Sequence, residues 1–145
     1  SARRVALYDP DPNLDVLLGP LRSFRCFRQG IHCDQDANTL GDHTGCRPAY
    51  DWLHTVDDYA LFFSALKPPG WVLMASIAGP HAPVRVGDSL GFLELQSSCP
   101  TQNSSQAVPG LRIKALVDRF WGPTTSICED DFGPALQQIG ELVSL

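Results

Sequence analysis

Five cysteines are spread along the chain without a single C-x-x-C pair, and that distribution constrains the fold more than any other feature. Cys26, Cys33 and Cys46 crowd one Gly- and Asp-rich stretch, while Cys99 and Cys128 flank a segment with a helical pattern. Such spacing belongs to stapled loops rather than to a redox pair or a zinc knuckle. An odd count in an oxidising compartment leaves one sulfur for a partner outside the chain. The sequence therefore reads as an exported protein, and as a piece of a longer one.

Composition narrows the classes further. With 145 residues, 43% of them hydrophobic, the chain can bury one ordinary core and gives no argument for two domains. A net charge of −5 with only eleven Lys and Arg supplies no basic field, so nucleic acid and anionic membrane surfaces are excluded as expected partners. The longest apolar run, Trp71 to Ala78, is far too short to span a bilayer. Ser1-Ala2-Arg3-Arg4 opens into a Pro/Asp loop rather than a secretory leader, which predicts a processed or truncated N-terminus.

From Ser1 to about Pro48 the pattern predicts little regular structure, with short apolar pieces at Leu14 to Leu18 and Leu21 to Phe27. A loop of this length is where staples restrict the unfolded chain most usefully. After Pro48, Val56, Tyr59, Phe63 and Leu66 recur at helical spacing behind Thr55 as N-cap, and Pro68-Pro69-Gly70 stops that helix. Trp71 to Ala78 is continuously apolar, which predicts a strand covered on both faces in a parallel sheet, ended by Gly79-Pro80. Val84 to Val86 and Phe92 to Leu95 predict a hairpin at the sheet periphery, joined by the polar turn Gly87 to Gly91. A second helix is expected from about Gly110, with Ile113, Leu116, Val117 and Phe120 on one face. Thr124 to Cys128 reads as a short strand. A third helix follows, capped by Asp130 or Asp131, with Pro134 in its first turn and Phe132, Leu136, Ile139 and Val143 along one stripe.

Several motifs carry possible chemistry. Gly87-Asp88-Ser89-Leu90 spells the block of the GDSL serine hydrolases, and Asp51-Trp52-Leu53-His54 fits the D-x-x-H that supplies their base. In that family the base follows the nucleophile, whereas here it precedes it, and a polar hairpin turn explains the same letters. Two acidic ladders have calcium-like spacing: Asp9, Asp11, Asn13 and Asp15, and then Asp34, Asp36 and Asn38 with Asp42 nearby. Prolines interrupt the first, leaving Asp34, Asp36 and Asn38 as the weak calcium candidates beside an ordinary Asx-turn reading. His32, His43, Cys26, Cys33 and Cys46 can be drawn as a mixed zinc set, but the spacing fits no common finger. Asn103-Ser104-Ser105 matches a glycosylation sequon.

Two stretches carry a family resemblance: Tyr59 to Pro80, "YALFFSALKPPGWVLMASIAGP", and Pro109 to Leu145, "PGLRIKALVDRFWGPTTSICEDDFGPALQQIGELVSL". They resemble the C-terminal half of von Willebrand factor A-type domains of bacterial exported proteins and lipoproteins. The cysteine-bearing segments around Cys26 to Cys33 and Cys128 are similar to insertions in a myxobacterial-type branch of that family. The resemblance implies an α/β fold: the C-terminal portion of a doubly wound, mostly parallel sheet, with a disulfide-rich N-terminal loop region. It implies residues 1–50 as a cysteine-rich loop insertion and 51–145 as the C-terminal half of the domain, completed by upstream sequence.

The function so implied is a non-catalytic binding and adhesion module, secreted, periplasmic or on the outer cell surface, taking a protein or glycan ligand. The family's metal-ion-dependent adhesion site rests on D-x-S-x-S after the first strand, for which no residue of this chain stands. Mg or Ca is thus expected only at a site completed by upstream residues, and no metal ligand carries over. The alternatives are a structural subunit of an exported assembly and a GDSL-type hydrolase. Leaving one cysteine out permits fifteen pairings; the expected ones are Cys99 with Cys128 and Cys33 with Cys46, with Cys26 left for an upstream segment or companion chain. The strand at Trp71 to Ala78 is expected to pair along at least one edge with that outside segment.

Overall fold

The structure, a computed structural model, describes residues 7–19, 23–100 and 106–143. It is a mixed α/β arrangement of short helices and three small sheets, one of them parallel. The chain divides into two compact units, Ser1–Thr55 with Val84–Gln96, and Val56–Pro83 with Ser97–Leu145. The sequon at Asn103 lies outside the described residues.

The first unit begins with a 3-10 turn at Pro12–Leu14 and the single turn α1 (Asp15–Leu18), followed by α2 (Ser23–Gly30). Asp11 caps the 3-10 turn by accepting from the Asn13 amide, with proline in its first positions. Chain leaving α2 forms β1 (Ile31–His32), then β2 (Gly41–His43) and β3 (Arg47–Pro48). Strands β1 and β3 are antiparallel, with His32 opposite Arg47. Cys33 and Cys46 occupy the next position of that ladder and are joined as a disulfide. The covalent link holds a pairing that two-residue strands would not sustain in water.

The hairpin comprises β5 (Val84–Ser89) and β6 (Phe92–Leu95), and β5 also pairs antiparallel with β2. The polar turn expected over five residues is therefore shorter. Val84 and Val86 alternate into the core while Arg85 points out, as a half-buried strand requires. Leu90 and Gly91 both have positive φ, 55° and 82°, the two-residue turn whose twist matches a hairpin. The hairpin was expected at the periphery of the Trp71–Ala78 sheet; it belongs instead with β2, where cross-strand Asp42 and Arg85 stand opposite one another.

The core of this unit gathers Leu7, Leu18, Phe24, Phe27, Ile31, Val84 and Val86. Among them lies a guanidinium: Arg25 is 1% exposed. Its Nε donates to Gly19 O at 2.7 Å, Nη1 to Asp9 O at 3.1 Å and Leu7 O at 3.4 Å, and Nη2 to Asp15 Oδ1 at 2.5 Å. One planar fork so satisfies three carbonyls and a carboxylate from a segment whose own regular structure is limited to single helical turns.

In the second unit α3 (Val56–Ser64) ends before Pro68-Pro69-Gly70-Trp71. There Pro69 precedes Gly70 at φ 83°, and the Trp71 amide donates to Pro68 O at 3.0 Å, a type II turn with each residue where its backbone preference puts it. Strand β4 (Ser76–Ala78) pairs in parallel with β7 (Thr124–Ser126), in register from Ser76 opposite Thr124 to Ala78 opposite Ser126. The crossover includes α4 (Leu111–Asp118), which packs on β4 and on α3. Two glycines permit close approaches here: a β-carbon at Gly79 would overlap the carbonyl oxygen of Val108, and one at Gly122 that of Met74. The Cys99–Cys128 disulfide ties the loop before α4 to the segment ahead of α5 (Gly133–Val143). Asp131 Oδ1 accepts from the Gly133 amide at 2.8 Å at the start of α5, with Pro134 in its first turn.

Two expectations for this unit are corrected. The strand expected over Trp71 to Ala78 spans only Ser76–Ala78, with Trp71 74% exposed. A strand extends no further than its ladder, and β7 offers three residues beyond Gly122-Pro123. The stripe expected to bury α5 does not: Leu136 is 60% and Val143 69% exposed, and Ala135 is the residue that packs inward. Phe62 on α3 is likewise 60% exposed. Among the described residues β4 pairs with β7 alone.

Candidate functional site

The acidic ladders are committed to the backbone around them. Asp9 Oδ1 accepts the Asp11 amide at 3.0 Å, Asp11 Oδ1 accepts both nitrogens of Asn13, and Asp15 holds Arg25. In the disulfide loop, the Asp34 amide donates to Thr44 O at 2.9 Å and Asp34 Oδ2 accepts from Thr44 Oγ1 at 3.0 Å. Gln35 clasps the same threonine through its amide and hydroxyl. Asp36 Oδ1 accepts the backbone and side-chain nitrogens of Asn38, and these bonds hold its carboxyl below the usual range. Asp34, Asp36 and Asn38 thus form two adjoining turns. Among the described residues no three His, Cys, Asp or Glu side chains converge as a metal-holding group.

The cysteine and histidine set does not converge either. Cys33 and Cys46 are bonded to each other, which removes both as thiolate ligands, and Cys26 on α2 is a free, exposed thiol. His32 faces Asp51 at 3.3 Å. His43 is buried against the edge of Phe27, its Nε2 donating to Thr39 O at 2.8 Å. Ser89 ends β5 at the hairpin turn, where the neighbouring Asp88 Oδ1 accepts the Gly91 amide at 3.0 Å. The carboxylate of the D-x-x-H pattern, Asp51, is turned to His32.

Asp42 and Arg85 form the clearest surface pair of the first unit, Nε to Oδ1 at 2.6 Å and Nη2 to Oδ2 at 3.2 Å. The hydrogen bond from Arg85, and then its charge and that of His43, hold the Asp42 carboxyl below its ordinary value. A carboxyl whose folded-state pKa is depressed adds stability above its unfolded value, about 3.9, and loses it as pH falls through the lowered one. The pair is solvent-exposed, so the effect is small. Asp42→Asn is expected to lower the urea midpoint slightly at neutral pH. The difference should shrink as pH falls through the lowered folded-state pKa of Asp42, where its carboxyl protonates and both proteins become uncharged at this position.

In the second unit a cleft of about 310 Å³ lies along the parallel pair. Thr124, Thr125 and Ser126 of β7 supply hydroxyls, and His81 follows β4. Lys114 and Asp118 face it from α4, joined by Nζ bonds of 2.7 and 2.9 Å at i,i+4 spacing. The carboxyl ends of parallel strands are where open α/β sheets present loops to ligands. Chemically the cleft offers donors, acceptors and a neutralised ion pair.

The sequence reading missed three features: the Arg25 hub, the Lys114–Asp118 pair within the cleft, and the helix end at Trp121. Only the second had a local signal, oppositely charged residues four apart on a helical pattern. No known protein family, curated protein or solved structure matches the chain.

Proposed function

We propose that this chain contributes the C-terminal portion of an exported, non-catalytic α/β binding module of von Willebrand factor A type. In this reading further strands extend the parallel sheet, and a protein or glycan ligand meets the loops at its carboxyl ends. Mg or Ca, held by residues outside these 145, completes that face. The observation that carries the reading is that β4 has a single partner among the described residues, in a unit that also leaves Trp71, Phe62 and Leu136 exposed. An open strand edge is a site for strand addition. The two disulfides favour an oxidising compartment, and no helix of the described residues is long and apolar enough to cross a membrane.

Amide hydrogen exchange tests this. In the protein bearing its natural upstream sequence, the Ile77 amide is expected to exchange at least about a hundredfold more slowly than in the 145-residue chain alone. Equal exchange rates in the two would refute the proposal. A second reading, a structural subunit of an exported assembly, is favoured by the exposed thiol of Cys26. Non-reducing peptide mapping that joins Cys26 to a separate chain supports it.

A further inference from the structure

The turn that closes helix α4, beyond Asp118, ends on a residue whose backbone its side chain disfavours. The amide of Trp121 donates to Asp118 O at 3.2 Å and that of Gly122 to Val117 O at 3.3 Å, which places Trp121 at φ 56°. A left-handed residue closing a helix in this way is ordinarily glycine, because a β-carbon crowds the adjacent carbonyl. Burial gives no compensation, since Trp121 is 94% exposed. Unfavourable backbone held beneath a fully presented indole directs attention to what the indole borders.

It borders a cleft of about 300 Å³, between the Pro68-Pro69-Gly70 turn and the end of α4, with Arg119 and Phe120 in its wall. That size is at the small end of ligand pockets, roughly 300–1,000 Å³. Arg119 is fixed in direction: its Nε donates to Asp57 Oδ1 at 2.6 Å, linking the end of α4 to the first turn of α3. With Nε so engaged by Asp57, the terminal nitrogens of the guanidinium are left as planar donors in a cleft that also carries an aromatic face.

A pyranose ring has the complementary surface, an apolar face of C–H groups and a rim of hydroxyls that donate and accept. An apolar peptide would have to desolvate the Arg119–Asp57 pair, and the net charge of −5 disfavours a phosphate backbone. We infer that this cleft is a saccharide subsite, with a sugar ring stacked on Trp121 and its hydroxyls held by Arg119, which Asp57 keeps in position. The subsite lies within one unit and requires neither a metal ion nor an added strand, so it stands apart from the metal-dependent face proposed above.

Maltohexaose, cellohexaose and chitohexaose, titrated calorimetrically into the full chain in EDTA, test the assignment, with tryptophan emission as a second readout. At least one is expected to bind with a Kd of about 0.1–1 mM. Trp121→Gly is expected to weaken it at least about tenfold while raising the thermal midpoint by about 3 °C, because glycine suits the left-handed position. That stability gain separates lost binding from lost folding. Trp121→Phe should keep affinity within about threefold, and Arg119→Lys, which loses the planar fork, should lose about tenfold. Failure of all three sugars to bind, or unchanged affinity in Trp121→Gly, overturns the subsite. Saccharide binding that disappears in EDTA and returns with magnesium overturns it as well, while supporting the metal-dependent reading. A proline-rich peptide that binds in a Trp121-dependent way where no sugar does also refutes it.

Discussion

Replacing Arg25 with methionine is expected to destabilise the cysteine-rich unit by about 3 kcal/mol, the largest effect of any single side chain discussed above. Methionine restores much of the apolar volume of the arginine stem, so the loss isolates the guanidinium. Three backbone carbonyls, of Leu7, Asp9 and Gly19, lose their donor, and each such buried acceptor costs about 1 kcal/mol or more when water cannot replace it. Asp15 also loses its cation, but its side chain is 39% exposed and rehydrates, which keeps the total toward the lower end of broken buried pairs. Arg25→Lys should fall between wild type and Arg25→Met, because an ammonium retains the charge and cannot reach four acceptors in one plane. Asp15→Asn should be the mildest of the three. Urea denaturation read by hydrogen exchange within α2 measures the series, with the Arg25→Met midpoint expected about 2 M lower. A loss below about 1 kcal/mol would mean that water enters and replaces the fork.

Removing the Cys99–Cys128 bridge is the second large effect. The bridge spans a sequence separation of 29 residues, and the chain-entropy estimate for a loop of that length is about 3.5 kcal/mol at 25 °C. The second unit has little else to draw upon, for its buried apolar side chains are few and small: Val56, Ala78, Val117 and Ala135 beside the two half-cystines. The double substitution to alanine is the appropriate test, since serine would bury two hydroxyls at positions 8% and 1% exposed. We expect the α4 and α5 amides to lose most of their exchange protection in Cys99→Ala/Cys128→Ala. The corresponding Cys33→Ala/Cys46→Ala protein, whose separation is only 13, is expected to lose about 3 kcal/mol, confined to the first unit. Retained protection of α4 in the first double variant would show that the Gly79 and Gly122 close approaches hold the helix without the bridge.

The features legible in the sequence were those encoded within a dozen consecutive residues. Helices α3, α4 and α5 and the hairpin of β5 and β6 lie where their periodicity and flanking Gly and Pro residues indicated, because capping and turn geometry are local. Strands β1, β2 and β3 were not legible, since two or three residues cannot display an alternation and their partners are set by tertiary pairing. Arg25 sits between Phe24 and Phe27 in an apolar piece, where a charge reads as solvent-facing; its burial depends on carbonyls brought in from residues 7 to 19. For β4, the apolar run from Trp71 to Ala78 gave the correct type and the wrong length, because strand length belongs to the pair. That the left-handed position falls on Trp121 rather than on Gly122 follows from which carbonyls capture the last amides, and this has no sequence signature.

The hairpin at Val84–Leu95 is threaded between β4 and α4 yet clusters with the first fifty-five residues. The polypeptide consequently passes from one body to the other three times, after Thr55, after Pro83 and after Gln96. No single nick can therefore release either half, and a gene truncated after Thr55 would strip β2 of the neighbour it pairs with. Excision would require removing residues 56 to 83 together with everything beyond 96 and rejoining the ends. In heredity as in the test tube, the two bodies are obliged to travel together.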